Sequence, residues 1–111
     1  MALDFPTWNM GHLCYPDVQE YLKHKDIVLV PVASMEQHSY HCPLLTDSLH
    51  CEAITKIAAE YAQVLHTPQL WIGYSPHHMG YRGTVTFKED TLHAVYMDTI
   101  DNFKFWQIFH T

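Results

Sequence analysis

The run Ile27-Val28-Leu29-Val30 is unbroken by any polar residue, is rich in β-branched side chains and stops at Pro31. A strand with one wet face alternates polar and apolar residues. A continuous apolar run is what a strand covered on both faces looks like, as in a parallel α/β sheet. Proline carries no N–H and would cost a ladder hydrogen bond in a central strand, so Pro31 marks the strand's end. This stretch commits the chain to an α/β fold with helices packed over a sheet.

The remaining segments agree. "PDVQEYLKHK" opens with Pro16 and Asp17, which suit a first helical turn, and Val18, Tyr21 and Leu22 form an apolar stripe. Thr46 or Asp47 can cap a helix reaching about Leu65 and closed by Pro68, with Leu49, Ala53, Ile54, Ile57, Ala58 and Tyr61 as its buried stripe. "LWIGYS", 70–75, reads as a second strand. Thr86 and Glu89 have capping-box spacing for a helix through about Phe105, with Leu92, Val95, Tyr96, Ile100 and Phe103 inward. Strands alternating with helices imply right-handed crossovers and a parallel sheet. Two strands make a very small sheet, so the expectation is an incomplete one, finished by further chain or by another subunit.

Composition excludes some functions. The 111 residues fit one domain, and the formal net charge of -6 comes with no Lys/Arg cluster, which makes nucleic acid a poor partner. No apolar stretch is long enough to span a bilayer, and "MALDFPTWNM" lacks the basic lead and apolar region of a signal peptide. Cys14, Cys42 and Cys51 are odd in number and form no CxxC pair, which favours a reducing, cytoplasmic setting over a disulfide framework. Cys42 and Cys51 read as small buried residues and Trp71 as core. The 10 histidines widen the choice of metal ligands.

The chemistry concentrates in two loops. "VPVASMEQHSYHCPLLTD", 30–47, follows the first strand, and "SPHHMGYRGT", 75–84, follows the second. Sheets of this kind bind ligands at the carboxyl ends of their strands, so the two loops converge on one rim. Glu36 and His38 are two residues apart and in extended backbone point to the same side, roughly 6–7 Å apart. Asp47 can enter the same space, and its two oxygens could each take a different cation. Carboxylate oxygen with imidazole nitrogen suits Zn, Mn or Fe.

These segments resemble the creatininase (creatinine amidohydrolase) family. "VLVPVASMEQHSYHCPLLTDSLHCEAI" is similar to that family's P-V-G-S-x-E-Q-H-G-P-H-L-P-L-x-T-D, and "GYSPHHMGYRGTVTFKEDTL" to its S-P-x-H-x-G-x-P-G-T-x-S, together spanning about residues 26–98. The resemblance implies a three-layer α/β/α hydrolase with a mainly parallel sheet. It implies two divalent cations per complete site, a small-molecule substrate with a cyclic amide or related bond, and a homo-oligomer, often a hexamer. By position, Glu36 would ligate one metal, His38 the other, and Asp47 both, with a hydroxide shared by the metals as nucleophile. His41 falls behind the ligands, and Ser75, His77, His78 and Gly83 line the substrate side. Adjacent residues point apart, so at most one of His77 and His78 is expected to face the site.

The departures are specific. Ser39 and Tyr40 stand where Gly-Pro is usual, Ala33 where glycine is, Cys42 where an aliphatic residue is, and Arg82 where proline is. The family's later ligands, around N-G-H-x-x-N, have no match in "FWQIFHT", nor does its later acid/base residue. The expectation is therefore an N-terminal fragment without catalytic residues of its own. His50, His77 or His110 could substitute as ligands. The competing expectation is a non-catalytic α/β module that keeps a vestigial metal loop and oligomerises through its apolar C-terminal residues Phe103, Phe105, Trp106 and Phe109.

Overall fold

The computed structural model describes residues 4–109. Its elements are α1 (Tyr15–Leu22), β1 (Val28–Leu29), α2 (Thr46–Ala62), β2 (Leu65–His66) and α3 (Glu89–Phe109), with short 3-10 turns at Met10–His12 and Pro76–His78. The α/β organisation with a parallel sheet is as expected. β1 pairs with β2 in parallel, Val28 opposite Leu65 and Leu29 opposite His66.

The second strand lies earlier than expected. α2 stops at Ala62 because Gln63 turns left-handed, at φ 54°, and its N–H returns to the Ala59 carbonyl. Leu65, expected in the helix, is instead fully buried in β2. Residues 70–75 form no continuous strand, but the same line of pairing runs on through them. The Thr67 N–H donates to Leu29 O at 2.9 Å and the Leu70 N–H to Pro31 O at 2.9 Å. Thr67 and Leu70 are three residues apart rather than two, so the alternation slips between them and the ladder is in pieces. Single bridges then join Val32 to Leu70 and Gly73 to Thr86 in parallel. On the other edge of β2, Asn9 bridges to His66.

Capping differs from expectation as well. Leu45 precedes α2 without a side-chain cap, and the Thr46 hydroxyl donates to Pro43 O at 2.6 Å. The Thr86 hydroxyl does not cap α3; it accepts the Ser75 N–H at 2.7 Å, and so ties the second loop to the segment that precedes α3. α1 is capped by Asp17, whose carboxylate accepts the Cys14 N–H at 3.1 Å. Lys25 donates to the carbonyls of Ala62 at 3.0 Å and Gln63 at 2.8 Å. A lysine there satisfies orphan carbonyls at the negative end of α2 and clamps that end against the turn after α1.

The predicted stripe of α2 does not face the core. Leu49, Ala53, Ile54, Ile57, Ala58 and Tyr61 are all exposed, Tyr61 at 93%. The covered face is the one with Ser48, Cys51, Thr55 and Ala59. Small residues let the helix backbone approach closely, so the Ser48 hydroxyl reaches Ser34 O at 3.0 Å and the Cys51 thiol lies 3.5 Å from Val32 O. Cys42 and Cys51 are half-buried, and Trp71, expected in the core, is exposed. Leu92, Val95, Tyr96 and Phe103 of α3 are half-buried as expected, while Ile100 is exposed. The Phe103 and Trp106 rings meet edge to face at 4.9 Å. Phe105 is exposed, and the expectation for the Phe109 side chain lies outside what is described. Among the described residues no helix is long and apolar enough to cross a membrane.

Candidate metal centre

The first loop leaves β1 past Pro31 and is folded back by its own hydrogen bonds. The Glu36 N–H donates to Leu44 O at 3.2 Å, closing the loop to where α2 begins. That closure brings Asp47, in the first turn of α2, opposite the Glu36–His38 stretch. Ligand atoms of Glu36, His38 and Asp47 all lie within 4.8 Å of one another. The three residues singled out in the sequence therefore share one space.

Each is oriented. His38 Nδ1 lies 3.0 Å from the Glu36 carbonyl oxygen, an acceptor, so the nitrogen carries the proton and donates it. The lone pair of the neutral ring is then on Nε2, which lies 3.5 Å from Asp47 Oδ1. A histidine that gives one N–H to a carbonyl and turns its other nitrogen to a site is in the arrangement metal-binding histidines adopt. The opposite Asp47 oxygen, Oδ2, accepts the Ser34 hydroxyl at 2.9 Å. The backbone of Ser34 is in turn held by Ser48. His38 is pulled above its ordinary pKa, first by the Glu36 carbonyl that receives its N–H. Burial opposes this, and the charges of Asp47 and Glu36 add to it.

The second loop arrives on the other side of Glu36. Ligand atoms of Glu36, His77 and His78 also lie within 4.8 Å of one another. His78 Nε2 is 3.8 Å from Glu36 Oε2, and the two imidazoles sit with centroids 4.2 Å apart. Both imidazoles thus reach the Glu36 carboxylate, where at most one was expected to face the site, although the His77 side chain is exposed. The loops are stitched together by the Gln37 N–H on the Thr84 hydroxyl at 3.1 Å and the Val85 N–H on Met35 O at 3.0 Å.

The other expected residues sit around this centre. Ser75 is fully buried, and its hydroxyl has no partner among the described residues. Gly83 has φ 99°, and a β-carbon there would come within 2.5 Å of Leu44 Cδ1, so it lets the second loop close on the first. His41 and His50 are exposed and belong to neither cluster, and His110 lies outside the described residues. Sequence reasoning missed Ser34, which holds Asp47, and Gln37, whose side chain joins the two loops. Gln37 lies between Glu36 and His38, so its place was visible although its role was not.

A family model described as creatinine amidohydrolase matches residues 11–109. A crystal structure of creatinine amidohydrolase superposes with a TM-score of 0.86 at 26% identity, over 93% of this chain and 42% of that one. A mutant creatininase of Zn–Zn type gives a TM-score of 0.80 at 26% identity, over 86% of this chain and 40% of that one. The 3-dehydro-scyllo-inosose hydrolase of Thermotoga maritima is 31% identical over 74 residues, 66% of this chain and 24% of the relative. The chain thus spans about a quarter of that hydrolase and under half of the solved creatininases. The matched region holds both loops and all three converging donors, and by that match the chain belongs to the creatininase family.

Proposed function

We propose that this chain supplies the cation-binding rim of a metal-dependent hydrolase acting on a small molecule with a cyclic amide or related bond. The observation that carries the proposal is the convergence of Glu36, His38 and Asp47 within 4.8 Å, with the neutral His38 turned so that its Nε2 lone pair is available. Two carboxylates and an imidazole suit a borderline divalent cation such as zinc, manganese or iron. Relatives of this fold include a Zn–Zn creatininase and a manganese creatininase, which supports the same metals here. Glu36 and His38 would each serve one of two cations and Asp47 both. Bound there, such cations supply Lewis acidity, lowering the pKa of water and polarising a carbonyl oxygen. The chain's own residues hold the donors still: Ser34 fixes Asp47, and the Glu36 carbonyl fixes the tautomer of His38. Three donors fall short of the roughly four that each zinc takes, so the complete site draws further ligands from elsewhere.

We expect the protein to work as a homo-oligomer in the cytoplasm. The exposed Ile54, Ile57 and Tyr61 on α2 support association, since an apolar helix face is stable when covered. The same face favours a second reading, a non-catalytic module that associates through it and keeps the loop without its metal. Metal content separates the two. Purified chain equilibrated with Zn²⁺ or Mn²⁺ and freed of excess should retain metal by elemental analysis. In a complete protein that carries the remaining ligands, Asp47→Ala should abolish retention at both positions, and His38→Ala should weaken one position more than the other. A folded oligomer that retains none would favour the module, and full retention by Asp47→Ala would remove the shared-ligand role.

A further inference from the structure

His38 and His78 flank the same carboxylate, yet their rings are set by opposite means. The Ser39 N–H lies 3.0 Å from Gln37 Oε1. A backbone N–H can only donate, so the oxygen of the Gln37 amide is the end that faces Ser39. The NH₂ end then faces His78, with Gln37 Nε2 2.8 Å from His78 Nδ1. An amide NH₂ can only donate, so His78 Nδ1 accepts and carries no proton in the neutral ring. The proton of His78 is left on Nε2, the nitrogen 3.8 Å from Glu36 Oε2. In His38 the order is reversed: its Nδ1–H is given to a carbonyl, and Nε2 offers a lone pair.

We propose that His78 is not a metal ligand but a positioning residue for Glu36, with its Nε2–H held toward the carboxylate by a relay from the Ser39 backbone through the Gln37 amide. The proposal rests on the metal reading above, because it concerns how one of the candidate ligands is aimed. Proximity alone would place Glu36, His77 and His78 together as a second cation site. The direction of the relay argues against that use, since a nitrogen bearing a proton has no lone pair to give. It argues instead for the carboxylate support that metal-ligating acids usually receive from neighbouring donors. The separation of 3.8 Å is longer than a formed hydrogen bond, so the contact as it stands is an electrostatic one.

Two measurements test this on the intact chain. The first is the ¹⁵N spectrum of the metal-free protein at neutral or mildly basic pH, which reports ring tautomers directly. His78 should be Nε2-protonated and His38 Nδ1-protonated, and Gln37→Met, which keeps length but removes the amide, should release the His78 preference. An Nδ1-protonated His78 in the wild-type chain would overturn the relay. The second is Zn²⁺ affinity. His78→Leu should weaken binding by about 10- to 100-fold, the usual effect of removing a group that supports a ligand. His78→Gln places an N–H donor near the same position but is a poor zinc ligand, and it should restore affinity to within about threefold of wild type. If His78→Gln loses as much as His78→Leu, or if added Zn²⁺ strips the proton from His78 Nε2, the histidine is a ligand and the positioning role is wrong. A wild-type chain that takes up no Zn²⁺ defeats the metal reading, and the tautomer then decides the relay by itself.

Discussion

Among the described residues, most of the buried side chains fall into two populations, and each belongs to a different part of the molecule. Around α1, β2 and the end of α2 they are apolar or aromatic: Tyr21, Ala59, Val64 and Leu65. Around the rim they bear hydroxyls: Ser48, Ser75 and Thr84. The first region is held by area removed from water, which is tolerant of direction. The second is held by hydrogen bonds between loops far apart in the chain, as between Gln37 and Thr84. The buried Ser48 and Thr84 hydroxyls each bind a backbone group, of Ser34 and Gln37, and so fix a loop where an aliphatic side chain would only fill space. The rim is therefore geometrically exact but depends on a few contacts, whereas the apolar region is cruder and more redundant.

The largest effect is expected where the rim closes. Gly83→Ala asks a residue with a β-carbon to hold φ 99° and to occupy space within 2.5 Å of Leu44 Cδ1. Strain and overpacking together should cost on the order of 3 kcal/mol. Urea unfolding followed by circular dichroism measures that loss, and Zn²⁺ affinity should fall with it. A variant with wild-type stability and affinity would break the comparison, because it would show that the second loop need not close on Leu44 to build the rim.

The two regions were also unequally legible. Glu36 and His38 could be paired because residues two apart share a side in extended backbone, and Asp47 could be added because the first turn of α2 follows directly. The Gln37 relay could not, because it depends on which end of an amide faces Ser39, and side-chain direction is not written in spacing. On α2, the apolar set at 49, 53, 54, 57, 58 and 61 and the smaller set at 48, 51, 55 and 59 both keep helical spacing. Hydrophobicity favoured the first set, and close packing on the sheet selected the second. β2 was missed because Gln63, a residue with no special turn preference, takes the left-handed conformation that ends α2. Beyond it, the slip in alternation between Thr67 and Leu70 divides a line of pairing that reads as one strand starting later.

An intermediate effect should come from the apolar region. Tyr21 is fully buried, and its hydroxyl donates to the Ile27 carbonyl. Tyr21→Phe removes that bond while keeping the ring and should cost about 1–2 kcal/mol. Burial raises the Tyr21 pKa above its ordinary value of 10.0. The unfolded chain then loses this proton before the folded one does. The contribution of Tyr21 to stability is therefore complete below pH 10 and declines as pH rises through the higher folded value. The difference between wild type and Tyr21→Phe should shrink over that range in parallel melts. A difference that is flat with pH, or that grows, would mean the hydroxyl is not buried as found.

The smallest effect sharpens the rim side of the contrast. Ser39 holds φ 60°, a conformation glycine enters freely, and glycine is the residue usual there in the family's motif. Relief of that strain is worth about 1 kcal/mol, but glycine adds roughly 0.5–1 kcal/mol of chain entropy to the unfolded state. The two nearly cancel, so Ser39→Gly should stabilise by no more than about 0.5 kcal/mol. Ser39→Val, with a β-branched side chain forced left-handed, should destabilise by more than Ser39→Gly stabilises. Because glycine keeps the backbone N–H that orients Gln37, the His78 tautomer should be unchanged in Ser39→Gly. A tautomer that shifts although the N–H remains would mean that the serine side chain, not the backbone, aims the amide. The rim would then owe its geometry to the Ser39 hydroxyl as well as to those of Ser34, Ser48, Thr84 and Thr86.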